Sequence, residues 1–279
     1  MNKFYIVSLF LLLNLIVFAG GETLTVGAGN TAMGGTSSTS QNIFSAHNNP
    51  AGMAYVKNIG FGIFAGKPFV VKEVNRFNIS SVIPIKKIGS FGFDVNHFGY
   101  SAYNETSLGF SYARSFSEVI SVGLKFDYLR LAITDNGAKG FFAFGVGLQY
   151  QPIKVLRIGA FVYNPISSKL SNEFQEKIAT NFVLGLSYLP SEKLIINIDA
   201  EKELNEKIRF KAGIEYKPIK LLFLRIGAAT NPTLVSFGLG SEFKGFKLDV
   251  AASYHLQLGI SPQVSLVYTI NKKEKIETK

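Results

Sequence analysis

The chain has 279 residues, no cysteine, no tryptophan and a formal net charge of +10. Without cysteine it can form no disulfide, no thiolate metal site and no acylated lipoprotein terminus. The positive charge does not indicate nucleic acid, because the lysines are dispersed and the one dense run, Lys272-Lys273-Glu274-Lys275, reads as a solvated tail.

At the N-terminus, Met1-Asn2-Lys3 precedes an apolar run from Phe4 to Phe18 that closes on Ala19-Gly20-Gly21. A basic start, an apolar middle and a small-residue end predict a secretory signal peptide over residues 1–20. As a retained anchor the run would be short for a helical span of about 20 residues. No later apolar stretch has the length of a helical span. Yet mean hydropathy is +0.21 and only 17% of residues are charged. Apolar residues spread over many short segments of an exported chain fit a membrane barrel.

Residues 21–57 do not alternate in polarity. Thr25 to Gly35 is small and glycine-rich, Ser40 to Ala46 suits a short helix, and Asn48-Asn49-Pro50-Ala51-Gly52 reads as a turn. Such a segment, entering from the periplasm, predicts an N-terminal plug inside the lumen.

From about Asn58 onward, strict alternation recurs. Phe142, Phe144, Val146, Leu148 and Tyr150 form one bulky face, against Ala143, Gly145, Gly147 and Gln149 on the other. In a soluble sandwich the bulky face would point inward; in a membrane barrel it meets lipid while the small face lines the lumen. Tyrosines near segment ends, small residues opposite, and segments of about 10 residues that rise about 25 Å when tilted favour the barrel. The pattern predicts an all-β, antiparallel, up-and-down transmembrane barrel over residues 58–271. Its strands, about 14 in number, lie near 58–69, 75–84, 88–97, 105–116, 120–132, 140–151, 155–164, 178–189, 193–202, 207–217, 221–230, 233–243, 246–256 and 262–271. Tight connections follow the even strands, and longer ones follow odd strands at 98–104, 132–139 and 165–177. That parity puts both termini on the periplasmic side, with residues 272–279 as a periplasmic basic tail.

The same parity turns a set of charges inward: Lys125, Asp127, Arg157, Asp199, Glu201, Arg209, Lys211, Glu215, Arg225, Lys247 and Asp249. Facing lipid at the midplane, a Lys or Arg would cost about 2–4 kcal/mol. Inside, opposite charges on neighbouring strands can pair and fill the lumen.

The run Gly29-Asn30-Thr31-Ala32-Met33-Gly34-Gly35, the stretch ending Asn49-Pro50-Ala51-Gly52-Met53-Ala54, and the strand that follows resemble the N-terminus of the FadL-like outer-membrane superfamily. They are most similar to its PorV/PorQ branch, as is the closing stretch from His255 to Leu266. The resemblance implies a 14-stranded barrel whose plug gates passage, with Asn48, Asn49, Pro50, Ala51 and Gly52 as plug and gating residues. It also implies a cell outer-membrane location. FadL-type members move hydrophobic molecules; PorV-type members dock exported proteins that carry a C-terminal sorting domain, in type IX secretion. The branch favours docking in a type IX-like pathway as the main expectation, with hydrophobic small-molecule transport as the alternative. The modest outer loops depart from the long lids of FadL-type transporters.

Catalytic and cofactor chemistry find little support. Gly29 to Gly35 lacks the lysine that a phosphate-binding loop requires. Asp249, Ser253 and His255 share a face, but at about 3.3 Å per residue Asp249 and His255 stand about 20 Å apart, far beyond triad contact. His47, His97 and His255 have no metal-ligand spacing. The expected partners are outer-membrane lipid together with an exported protein or a hydrophobic ligand; no enzyme activity and no cofactor are expected.

Overall fold

Residues two apart along a strand share a face, so a chain that alternates bulky and small residues curls with one kind of side chain outside and the other inside. In a computed structural model describing residues 24–134, 136–165, 180–204 and 206–270, this alternation resolves into fourteen antiparallel strands closed as one transmembrane barrel. They are β1 (Gly60–Gly66), β2 (Asn75–Ile85), β3 (Gly89–Tyr100), β4 (Tyr103–Ser115), β5 (Ile120–Ile133), β6 (Gly137–Ile153) and β7 (Leu156–Tyr163). The second half comprises β8 (Asn181–Ser191), β9 (Leu194–Glu203), β10 (Arg209–Ile219), β11 (Leu222–Ala229), β12 (Leu234–Phe243), β13 (Phe246–His255) and β14 (Gly259–Thr269). Each strand pairs with its chain neighbours. The ring closes where β1 meets β14, from Gly60 opposite Thr269 to Gly66 opposite Gln263.

The faces divide by size. On β12, Phe237 and Leu239 are 52% and 59% exposed, whereas Ser236, between them and the far end of the strand, is buried. Across β3 and β4 the outward rings of Phe93 and Phe110 lie 5.2 Å apart, and Tyr128 and Phe142 form a similar outward pair at 5.3 Å. An apolar outer surface over a closed hydrogen-bonded wall is what a strand structure needs in hydrocarbon, where no water can satisfy the backbone.

Strand ends differ from the sequence expectation in instructive ways. The connections expected over 98–104 and 132–139 are mostly strand: β3 and β4 are joined through Ser101-Ala102, and β5 and β6 run for 14 and 17 residues. The loop expected over 165–177 lies, apart from Pro165, outside the described residues. At the near end, register shifts separate Tyr150 from Ile153, Tyr188 from Ser191 and Tyr216 from Ile219. Each interval contains a proline (Pro152, Pro190 or Pro218), which has no N–H to give the ladder. β1 stops at Gly66 rather than near residue 69 because Pro68 opens a 3-10 turn, Pro68–Val70. There Phe69 and Val70 take φ of 49° and 54°, values that a β-branched residue such as Val70 rarely adopts.

The N-terminal segment fills the lumen. It contains helix α1 (Ala28–Ala32) and 3-10 turns at Ile43–Ala46 and Pro50–Tyr55. α1 lies in the glycine-rich stretch, where alternation and composition suggested no helix. Val26, Ile43, Phe44, Ala46 and Met53 pack on Phe64, Val82, Ala113 and Val267 of the wall, so the apolar core of the molecule lies between plug and barrel. The expected signal peptide, residues 21–23 and the tail at 272–279 lie outside the described residues.

Because Leu239 is mid-strand and outward, Leu239→Arg should cost about 2–4 kcal/mol of barrel stability, read as a lower urea midpoint for unfolding from phospholipid vesicles. A variant as stable as the parent would mean that this face does not meet lipid.

Candidate functional site: the plugged lumen

The plug can enter because the wall is built from residues with little or no side chain. A Cβ at Gly227 would overlap the Gly34 nitrogen, one at Gly159 the Ser38 carbonyl, and one at Gly123 the Ala51 nitrogen. The closeness is mutual: Gly34, at φ 71°, presses against the carbonyls of Ala228 and Ala212. Gly123, Gly159 and Gly227 are thus contact points with plug backbone.

Polar anchors fix the plug's orientation. The Asn49 side chain accepts from Ala51 N at 3.1 Å and donates to the carbonyls of Ser38 at 2.6 Å and Ala160 at 3.3 Å. It therefore caps the turn that Pro50 begins and ties that turn to β7. Asn48 holds Val26 from both sides, accepting from its N–H and donating to its carbonyl, each at 3.0 Å. Ala51 is fully buried, and Gly52 faces Ser40 so closely that a Cβ would meet the Ser40 carbonyl. These five residues build the plug's internal frame.

The inward charges form separate groups. On β9, Asp199 accepts from Ser37 N at 2.8 Å, Ser38 N at 3.1 Å and Ser38 Oγ at 2.6 Å. Gln149 of β6 donates to the carbonyls of Ser38 and Ser40, both at 3.0 Å. Arg225 bridges Glu215 at 2.5 Å and Asp249 at 2.7 Å across β10, β11 and β13. Lys211 pairs with Glu201, which also accepts from Asn181 at 2.9 Å. Arg209 sits nearer the rim, donating to the Asn231 carbonyl at 2.7 Å. Lys247 lies 4.6 Å over the ring of Phe223, and Arg157 Nε is buried without a hydrogen-bond partner among the described residues.

Lys125 belongs to a cluster that the sequence reading only half contained. Its ammonium lies 3.4 Å from both Asp94 and Asp127 and 3.3 Å from the His47 carbonyl. Asp94 in turn meets His47 Nδ1 at 2.8 Å. Asp94 and His47 were not among the expected site residues. The signal for Asp94 was present, since Gly92, Asp94 and Asn96 alternate with Phe91, Phe93 and Val95. Nothing in periodicity pairs a strand with His47 of the plug.

Paired and hydrogen-bonded in this way, the charges avoid the several kcal/mol that an isolated buried ion would cost. Among the cavities that the described residues leave, two flank the plug. On the side away from the near-end turns, a cavity of about 360 Å³ is bounded by Leu24, Phe64, Phe69, Phe98 and Leu234, with Arg76, Lys211, Ser253 and Ser236 in its wall. On the near side, a polar cavity of about 240 Å³ is bounded by Arg157, Asn197, Arg225, Lys247 and plug residues including Asn30 and Asn42. α1 and the residues after it stand between them, offering Thr31 and Gly34 to the first cavity and Asn30 and Met33 to the second.

Hydrolase geometry is not assembled. Ser253 Oγ bonds to Ser236 Oγ at 2.9 Å, Asp249 is held by Arg225, and His255 Nδ1 accepts from the backbone of Gln257 and Leu258. Among the described residues no group of three or more His, Asp or Glu side chains is placed to hold a metal ion.

Several solved structures share the fold of the chain. The toluene transporter TbuX of Ralstonia pickettii is similar over 89% of this chain and 98% of its own, at 15% identity and a TM-score of 0.67. The monoaromatic hydrocarbon channel CymD is similar over 91% and 100%, at 14% identity and a TM-score of 0.69. A Pseudomonas aeruginosa FadL homologue is similar over 90% and 98%, at 12% identity and a TM-score of 0.62. Neither protein-family profiles nor curated protein sequences give a match.

Two substitutions probe the docking of plug to wall. Asn49→Ala, which removes two buried hydrogen bonds within the plug and a part-buried one to Ala160 of β7, should weaken docking by about 1–3 kcal/mol. Gly227→Ala should displace the plug near Gly34 from the wall side. Both should raise proteolysis of the N-terminal segment while the barrel keeps its heat-modifiable migration on gels. A plug as resistant as the parent's in both variants would place its hold elsewhere.

Proposed function

We propose that the protein is an outer-membrane transporter of hydrophobic small molecules, of the FadL-like kind. The observation that carries this reading is the apolar chamber of about 360 Å³ lying on one side of a plug, with a polar chamber on the other. An apolar solute gains about 25 cal/mol for each Å² of surface that it removes from water, so Leu24, Phe64, Phe69 and Phe98 form a receiving site at the distal mouth. The plug then keeps that site from being an open pore. The structurally similar barrels include a toluene transporter and a monoaromatic hydrocarbon channel, which supports this class of cargo.

The rest of the reading follows from the same arrangement. Residues 1–20 direct export and are removed, the bulky outer face meets outer-membrane lipid, and the near-end turns and both chain ends lie in the periplasm. Asn48 to Gly52 act as the gating frame, and the inward charges set the plug's resting position. The chain runs no chemistry and needs no cofactor. A PorV/PorQ-type docking role draws on the sequence resemblance alone. The two-residue link between β3 and β4 and the three residues from Thr134 to Asn136 between β5 and β6 offer an exported protein little surface there.

The test is uptake of radiolabelled toluene by proteoliposomes. Ser253→Phe places a ring in the distal chamber without touching the plug anchors, and should lower the uptake rate on the order of tenfold, equivalent to ~1.4 kcal/mol. Uptake by the parent no faster than by empty liposomes would overturn the reading.

A further inference from the structure

Among the described residues, the cluster around His47 holds the only side chain at the seam between plug and wall whose ordinary pKa falls between about 5 and 8. Three elements meet there: the plug through His47, β3 through Asp94, and β5 through Lys125 and Asp127. From β7, Tyr163 lies beside Asp127. These are the charged and titratable groups that face the imidazole.

The geometry defines its protonation. Asp94 is an acceptor, so the 2.8 Å contact requires a proton on Nδ1. The neutral ring is then the Nδ1–H tautomer, and Lys125 is free to donate to the His47 carbonyl at 3.3 Å and to Asp94. A second proton at Nε2 would make the ring a cation with its Nδ1 only 3.3 Å from the Lys125 ammonium, inside an enclosed site. Two cations at that separation, in surroundings less polar than water, repel each other, and the Asp94 and Asp127 carboxylates offset part of that repulsion.

We infer that the His47–Asp94–Lys125 cluster is an acid-sensitive latch, closed while His47 is neutral and released when the imidazole takes a second proton. The inference deepens the transport reading and rests on its premise that the plug moves.

The direction of the response follows by linkage. Burial first, and Lys125 second, lower the affinity of docked His47 for its proton. An undocked plug returns His47 to water and to its ordinary value of about 6.5. Protons therefore favour the undocked form. Docking is fully stabilised above that value and weakens as pH falls below it.

The test is single-channel conductance of the full chain in planar bilayers at about pH 7.5 and about pH 5. The parent should show a several-fold rise in mean conductance on acidification, and His47→Gln, which cannot gain a charge, should show none. His47→Lys, cationic throughout, should conduct at the raised level at both values. An acid response that persists in His47→Gln, or a His47→Lys barrel that stays closed at neutral pH, would overturn the latch. Asn49→Ala provides the reference, since it loosens the plug without a titrating group. If it conducts at both pH values while the parent ignores acid, the latch fails and the mobile plug stands. If neither conducts, the mobile plug fails as well.

Discussion

Closure of the backbone hydrogen-bond ring is the constraint on which the rest of this structure depends. A strand in hydrocarbon cannot leave one edge unpaired, so β1 must find β14, and fourteen strands then enclose an interior of fixed width. An interior of that kind cannot remain a void of apolar residues or an open water column without consequences for stability or for permeability. The chain resolves the problem by folding its own N-terminal segment into the space. The demand for room then explains the wall's composition: glycine and serine face inward because plug backbone lies against them.

The plug is held mainly by polar contacts. Its larger apolar cluster, around Phe44 and Met53, lies against β1, β2, β4 and β14, and a smaller one joins Ala28 and Ala32 to Ala251 of β13; the remaining perimeter is tied by Asn49, Asp199, Gln149 and the Lys125 group. Hydrogen bonds contribute modestly when made but cost more when one partner is left buried alone. An interface of this composition has one well-defined resting position, and neighbouring positions are penalised by unpaired groups. Such an interface seats the plug reproducibly while burying little apolar surface.

Much of the wall was legible in the sequence, because a period of two with contrasting faces leaves few alternatives. Phe142 to Tyr150 shows both the strand and its orientation, and the fourteen segments are found where alternation put them, within a few residues. The largest departures have local causes: Pro68 ends β1 early, and strands β3 to β6 run on through stretches that looked irregular by composition. The lumen was less legible. Parity can say that Lys125, Arg225 and Asp249 share an interior, but not which charges meet, since strands far apart in sequence and a non-periodic plug supply the partners. Asp94 shows the limit well. Its strand position was readable, whereas its contact with His47 depends on how residues 24–57 fold, and no repeat governs that segment.

The plug's anchors are spread over strands from β3 to β13, and its α1 helix touches β14 through Ser265, whose hydroxyl accepts from Ala28 N. The plug segment therefore has no finished surface on which to settle until the final strand has joined the first. Assembly must be ordered against the direction of synthesis, with the earliest residues arriving last.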